Sequence, residues 1–381
     1  MTEIYLDYAA TTPTSSDVLA QMLPFFAEEF GNGSSIHRFG RRAKKHIGLA
    51  REKIQWAIQA KKPDEVIFTS GGTESDHMAI CGVASRLSTK GQHIITSQIE
   101  HHAVLRTCQQ LEKQGWRITY LPVDGEGKVN PSDVEQAISS DTVLISIMMA
   151  NNETGVLQPI ADMGSIAQQH GVYFHTDAVQ AAGVIPIDVD ALHVDLLSMT
   201  AHKMYGPQGI GALYIRSGTR IMPGLLGGEQ ERGRRAGTEN LPGIVGFGAA
   251  VERAVQERAK QCRDLERLRN RLADGVLATI PHIRINGTMK DRLPNNLNLC
   301  FEGVDGEALL MQLDMQGVAV SSGSACSSGD AEVSHVLKAM GLSHEDAQAS
   351  LRFSLGAGTT QNEIDTVLNL LPNLVKRLRA C

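Results

Sequence analysis

The chain has 381 residues, of which 42% are hydrophobic and 20% charged, with a formal net charge of −6. That length exceeds one small core and predicts two or three globular domains. The charge gives no electrostatic reason to expect nucleic-acid binding, and no apolar run approaches the roughly 20 residues that span a bilayer.

The N-terminus runs at once into IYLDYAATTP, which leaves no room for a signal or transit segment and predicts a cytoplasmic protein. This arm is expected to be tied to one of the domains, although its sequence does not say which. The basic run Arg41-Arg42-Ala43-Lys44-Lys45 leads into a helical pattern and reads as a solvated helix face. From about residue 65, strand-like runs at 66–69, 93–97, 118–121, 143–149, 172–177, 195–199 and 211–216 alternate with amphipathic stretches such as 104–114 and 159–170. Alternation of this kind predicts an α/β domain around a mainly parallel, seven-stranded sheet. The run GIVGFGAAVERAVQERAKQCRDLERLRNRLADGVLATI then reads as one long helix, or two with a break. After Pro281 the strand-like NLNLCF, the helix start GEALLMQLD, then VAVSS and LRFSLG predict a smaller α+β domain. The expected division is a large domain over 15–260 and a small one built from 1–14 and 261–381. Neither a repeat nor a low-complexity segment is evident.

The six cysteines stand singly at 81, 108, 262, 300, 326 and 381, with no CxxC pair. That spacing argues against a structural zinc site and a disulfide framework. Cys81, Cys108 and Cys300 lie in apolar, periodic surroundings and read as small hydrophobes. Cys326 does not, because SSGSACSSG neither fills a core nor staples a loop.

In an open parallel sheet, ligands bind outside the carboxyl ends of the strands. The first strand ends in Thr69-Ser70-Gly71-Gly72-Thr73-Glu74-Ser75 and then becomes helical. Glycines allow close backbone approach and a new helix offers unpaired N–H groups, so this turn can cup a phosphate. It is neither GxGxxG nor GxxxxGK[ST], which speaks against dinucleotides and nucleoside triphosphates. The fifth strand ends in His175-Thr176-Asp177-Ala178-Val179-Gln180, and the next in a segment containing Thr200, His202 and Lys203. An acid and a lysine so placed can share one crevice, as pyridoxal phosphate requires, although a surface lysine and a capping aspartate would give the same letters. Three further features agree. His101 follows one strand and can stack on a flat cofactor, Asn151-Asn152 closes another, and the loop 233–240 is too polar and glycine-rich for packing.

At this point the sequence resembles the cysteine desulfurases, in the class-V branch of the fold-type I pyridoxal-phosphate enzymes. The motifs YLDYAATTP, SSIHRFG, FTSGGTES, EHHAVL, NNETG, HTDAVQ, HKMYGPQGIGALY, RRAGTEN, SSGSAC and LRFSLG carry the resemblance, in family order. Their spacing is similar to that of the long-loop branch, which keeps its thiol in an SSGSAC segment. The resemblance implies that Lys203 holds pyridoxal phosphate as a Schiff base and shuttles protons. Asp177 would pair with the ring nitrogen, His101 would stack on the ring, and Gln180 would bond the phenolic oxygen. Gly72, Thr73, Thr200 and His202 would hold the phosphate, joined by Thr238 from the partner subunit of a homodimer. Asn152 and Arg352 would bind the substrate carboxylate, a task suited to the guanidinium fork.

The implied reaction converts L-cysteine to L-alanine through a ketimine, with the Cys326 thiolate attacking the substrate sulfur. His101 is the candidate to take or give the thiol proton. The resulting persulfide would pass to an acceptor protein serving iron–sulfur assembly, tRNA thiolation, DNA phosphorothioation or nitrogenase maturation. A serine- and glycine-rich loop suits a thiol that must visit both substrate and acceptor. Two departures from the family pattern stand out. GAGTTQNEI follows LRFSLG where many relatives carry a bulky or basic residue, and LVKRLRAC lacks the longer tail of housekeeping relatives. The second sets a dedicated partner against general iron–sulfur assembly. The rival readings are another class-V enzyme, such as a selenocysteine lyase or aminotransferase, and a catalytically silent binding module.

Overall fold

The computed structural model describes residues 3–322 and 333–380. After the short β1 (Ile4–Tyr5) come β2 (Val66–Thr69), β3 (His93–Ser97), β4 (Arg117–Leu121), β5 (Thr142–Ser146), β6 (Tyr173–Asp177), β7 (Leu196–Thr200) and β8 (Gly211–Ile215). These last seven form one sheet in the order β2-β8-β7-β6-β5-β3-β4. All its pairings are parallel except those of β8, which runs antiparallel to both β2 and β7. β8 can reverse because the connection from β7 is short and carries no crossover helix, whereas parallel neighbours need one.

Side chains alternate between the two faces of this sheet, as period-2 geometry demands. Ile67, Ile94, Leu144, Leu196 and Leu213 pack on one face with the helices Gly72–Leu87 and His102–Glu112. Their chain neighbours Phe68, Ile95, Ile145, Leu197 and Tyr214 face the opposite core, with Arg38–Ala57, Ile160–His170 and the first half of Leu241–Thr279. Both faces are covered, so the strands read as continuous apolar runs. The basic run at 41–45 lies on the helix Arg38–Ala57, with Arg41, Lys44 and Lys45 exposed and Ala43 buried.

The long helical pattern is one uninterrupted helix, Leu241–Thr279, with Pro242 in its first turn, where a missing N–H costs nothing. Its second half enters another core through Leu265, Leu268, Leu272 and Val276. That core lies under the strands β9 (Ile283–Ile285), β10 (Asn296–Phe301), β12 (Ser321–Ser322) and β13 (Ser350–Ser354), ordered β12-β13-β10-β9 and antiparallel throughout. The helix Gln361–Leu378 covers it with Ile364, Val367 and Leu371. The N-terminal arm joins this second core: Ile4 and Leu6 are buried in it, β1 pairs with β11 (Val318–Ala319), and Asp7 bridges to Ser354. β9 had no counterpart among the expected strands, being only three residues long and half-buried.

Candidate active site

Asp177 is the last residue of β6 and is paired with Ser198 of β7. Beyond Thr200 the chain turns through Ala201–Lys203, which brings Lys203 into electrostatic reach of Asp177. Asp177 is buried, and its Oδ1 accepts a hydrogen bond from the Val179 N–H at 2.8 Å. Burial raises its pKa, while the Val179 N–H and the Lys203 charge oppose the rise. The Lys203 amine donates to the carbonyls of Ala9 and Ala10 at 2.5 and 2.6 Å, and Gln180 Nε2 donates to Ala9 at 3.1 Å. The N-terminal arm thus meets Lys203 and Gln180, and it also bonds His202 through Thr11 and Arg352 through Asp7.

His101 caps the helix His102–Glu112, its Nδ1 accepting the Ala103 N–H at 3.1 Å. The proton of the neutral ring therefore sits on Nε2. Burial, reinforced by the Lys203 charge, pushes its pKa down to about 4, so the ring is neutral at physiological pH. His202 is likewise pushed down to about 4 by burial and Lys203, and its Nδ1 lies 3.1 Å from the Thr11 hydroxyl.

The glycine turn after β2 starts the helix Gly72–Leu87. A Cβ on Gly72 would lie 2.6 Å from Val179 Cγ2, so only glycine lets this helix start approach the turn after β6. Thr73 is exposed in the first turn, and the buried Thr200 hydroxyl donates to the Ile210 carbonyl at 3.0 Å. Thr238 is exposed and lines a cleft with Thr69, Ser70 and Gly209. Lys203 and Gln180 line a different cavity, with Tyr8, Thr12 and Tyr205. Arg352 on β13 is buried and joins the loop after β5 by donating to the Asn152 carbonyl at 2.9 Å. Cys326 lies outside the described residues. The residues that flank its segment are attached to the site on both sides. Ser321 pairs with Arg352, Ser334 donates to Glu153, and His335 Nε2 donates to the Glu100 carbonyl at 3.0 Å.

Sequence reasoning missed a set of buried acids. Asp76 lies 3.7 Å from His175 Nε2, and both are fully enclosed. Burial drives the Asp76 pKa well up and the His175 pKa down to about 3, so it works against the charged form of each and against an ion pair between them. His175 instead bonds Ser146 and Ser198 through its two nitrogens, at 2.8 and 2.9 Å. Glu100, pushed up to about 8 by burial, accepts from the Ser97 hydroxyl and the Met148 N–H. The signal available in the sequence was a charged residue inside an apolar, strand-end run.

The aminotransferase class-V family matches residues 4–367 of this chain. The chain belongs to that family. Enzymes of the class-V family depend on pyridoxal phosphate. A relative named cysteine desulfurase IscS, from Dictyoglomus turgidum, is 55% identical over 377 residues, covering 99% of this chain and 95% of its own. A solved structure described as a NifS-like protein superposes with a TM-score of 0.93 at 38% identity, covering 99% of this chain and 100% of its own. A second, described as SspA in complex with cysteine, gives a TM-score of 0.83 at 39% identity, covering 93% of this chain and 99% of its own. No helix among the described residues is long and apolar enough to cross a membrane.

Proposed function

We propose that this class-V enzyme is a cysteine desulfurase, taking sulfur from L-cysteine, releasing L-alanine and carrying the sulfur as a persulfide on Cys326. The observation that carries the reading is the pairing of Asp177, at the end of β6, with Lys203, just past the adjacent β7, and the electrostatic reach of Lys203 to His101, which follows β3 in the same sheet. The cysteine desulfurase name of the relative from Dictyoglomus turgidum, over nearly the whole chain, supports the substrate.

The residues suit pyridoxal phosphate. Bound there, it supplies an electron sink for the charge left when the α-proton of the substrate departs. Lys203 offers an amine for a Schiff base, held by two carbonyls in the turn after β7. Asp177 is a buried acid, and a positively charged ring nitrogen beside it would return its pKa toward the anionic range. Gly72 and Thr73 start a helix whose first-turn N–H groups suit a phosphate, and Thr200 and His202 would add to its hold. His101 is neutral, so it can lie against a flat ring and accept or return a proton at neutral pH. Gln180, whose Nε2 now donates to the Ala9 carbonyl, would turn that donor to a ring hydroxyl. Arg352 has a buried Nε without a partner among the described residues, which suits a carboxylate acceptor, and Asn152 stands beside it.

The same reading takes 15–260 as the cofactor-binding domain and 1–14 with 261–381 as a smaller domain carrying Cys326. It also makes the working unit a homodimer in which Thr238 serves the partner's phosphate site. Phe26, Phe30 and Ile36, close together along the chain, are all exposed, which supports a covered interface, because large apolar side chains left in water mark association surfaces. A sulfur-acceptor protein would complete the cycle in the cytoplasm, for iron–sulfur assembly or for tRNA or DNA sulfur modification. The test is incubation with L-cysteine, measuring alanine and sulfide, followed by mass spectrometry of Cys326. Stoichiometric alanine with a persulfide is expected. Alanine formed without Cys326 modification would favour selenocysteine lyase-like chemistry, and a keto acid that keeps the substrate sulfur would favour an aminotransferase.

A further inference from the structure

The guanidinium of Arg352 is buried, and its hydrogen-bonding is unfinished. Nη1 donates to the Asn152 carbonyl at 2.9 Å and Nη2 to Asp7 Oδ1 at 2.6 Å, while Nε has no partner among the described residues. A buried donor left unmade is costly, so the pocket is built for an acceptor that the described residues do not provide. Asp7 is held firmly by backbone pairing to the strand that bears Arg352. Ser354 donates to the Leu6 carbonyl at 2.8 Å, Tyr8 to the Ser354 carbonyl at 3.2 Å, and Ala9 to the Ser354 hydroxyl at 2.9 Å. Arg352 lies two residues back along β13, so the arm fixes the acid against it.

We propose that Asp7 is a positioning residue for substrate recognition, holding Arg352 so that its Nε–H faces the carboxylate of L-cysteine. This rests on the reading of Arg352 as the carboxylate site. Two anchors, one on each Nη, stop the guanidinium plane from rotating, and the fork keeps donors free for a second carboxylate. Asp7 also compensates the buried positive charge before substrate arrives, which an unpaired arginine could not tolerate. Such an arrangement acts on binding of the carboxylate through the Asp7 side chain, whereas it is the Asp7 backbone, whose carbonyl accepts the Ala10 N–H at 3.0 Å, that leads on to Lys203.

The experiment compares Asp7→Ala, Asp7→Asn, Asp7→Glu and Arg352→Lys holoenzymes. Asp7→Ala is expected to raise KM for L-cysteine by about tenfold, the effect of losing one charge-assisted hydrogen bond, with kcat changed less than about threefold. Asp7→Asn keeps an oxygen in place and should restore most of the KM. Binding of cysteamine, which has no carboxylate, is read from the absorbance of the bound cofactor and should not change in Asp7→Ala. If Asp7→Ala does not fold, Asp7→Glu takes its place: it keeps the charge, moves it by one methylene, and should raise KM for cysteine while sparing cysteamine. An unchanged KM, or an equal loss for cysteamine, overturns the proposal. Arg352→Lys separates the two layers. If it raises KM and the Asp7 variants do not, only the role of Asp7 falls, whereas no effect of Arg352→Lys removes the carboxylate site itself.

Discussion

Asp177 lies opposite Ser198 in the parallel pairing of β6 and β7, and Lys203 ends the short turn that leaves β7. Register therefore sets the distance between the acid and the amine. A slip of one residue would turn every side chain on the strand to the other face. Both β6 and β7 are buried on their two faces, which strongly disfavours such a slip. The pair is as rigid as the sheet that carries it.

From this pairing, Lys203→Ala is expected to abolish alanine formation, by at least about a thousandfold, because no other lysine among the described residues lines the same cavity. Asp177→Asn keeps an oxygen for the Val179 N–H and loses only the charge. It should retain the cofactor while alanine formation falls by about a hundredfold or more. Absorbance of the bound cofactor and alanine release measure the two separately. Alanine release by Asp177→Asn at the parent rate would refute the ring-nitrogen role.

Gly72 is where cofactor affinity meets packing. A methyl group there would lie 2.6 Å from Val179 Cγ2, so Gly72→Ala must push the helix start or the Asp177 turn aside. Affinity for pyridoxal phosphate should fall by about tenfold, and Val179→Ala in the same chain should recover most of it. Equilibrium titration of the apo forms checks the pair, and two independent, additive losses would show that the contact is not the cause.

Cys326→Ser should bind pyridoxal phosphate with the parent absorbance and yet form no persulfide. Steady alanine production should drop by at least about a hundredfold, since a hydroxyl is a far weaker nucleophile toward sulfur than a thiolate. Mass spectrometry after a cysteine pulse, with alanine assay, decides this. Parent-level alanine in the variant would remove Cys326 from the reaction.

Glu153 gives a stability prediction with a definite sign. It is buried beneath the Ser334 hydroxyl, and burial pushes its pKa from 4.5 up to about 7 in the folded chain. Between those two values the folded chain keeps a proton that the unfolded chain has released. The associated stability is present below about pH 4.5 and is lost as pH rises through 7, up to about 3 kcal/mol. Glu153→Gln cannot ionise, so its unfolding free energy should exceed that of the parent increasingly from pH 5 to pH 8. Urea unfolding at fixed pH values measures the gap, and parallel pH curves would contradict a buried neutral acid.

Much of the large sheet was legible because its signals are local. The apolar runs at 66–69, 93–97 and 211–216 became β2, β3 and β8 to within a residue, and 143–149 overran β5 only because Ile147–Ala150 stay buried after the strand ends. The antiparallel sense of β8 was not legible, since strand direction follows from how the connection closes. Asp76, Glu100 and Glu153 were passed over for a similar reason. An acid becomes chemically unusual through burial by distant elements, and its letter in the sequence is unchanged.

By itself the sequence determined the order of elements, the residues at the strand ends and the family, because periodicity, turn chemistry and motif spacing act over a few residues. The tertiary structure alone decided where the N-terminal arm goes. Asp7 and Arg352 are 345 positions apart, and Ala9 and Ala10 reach Lys203 across 194 and 193. Such contacts come from backbone pairing between β1 and β11 and along β13, whose register is fixed by the burial of Ile4 and Leu6 in a core that only the folded chain possesses.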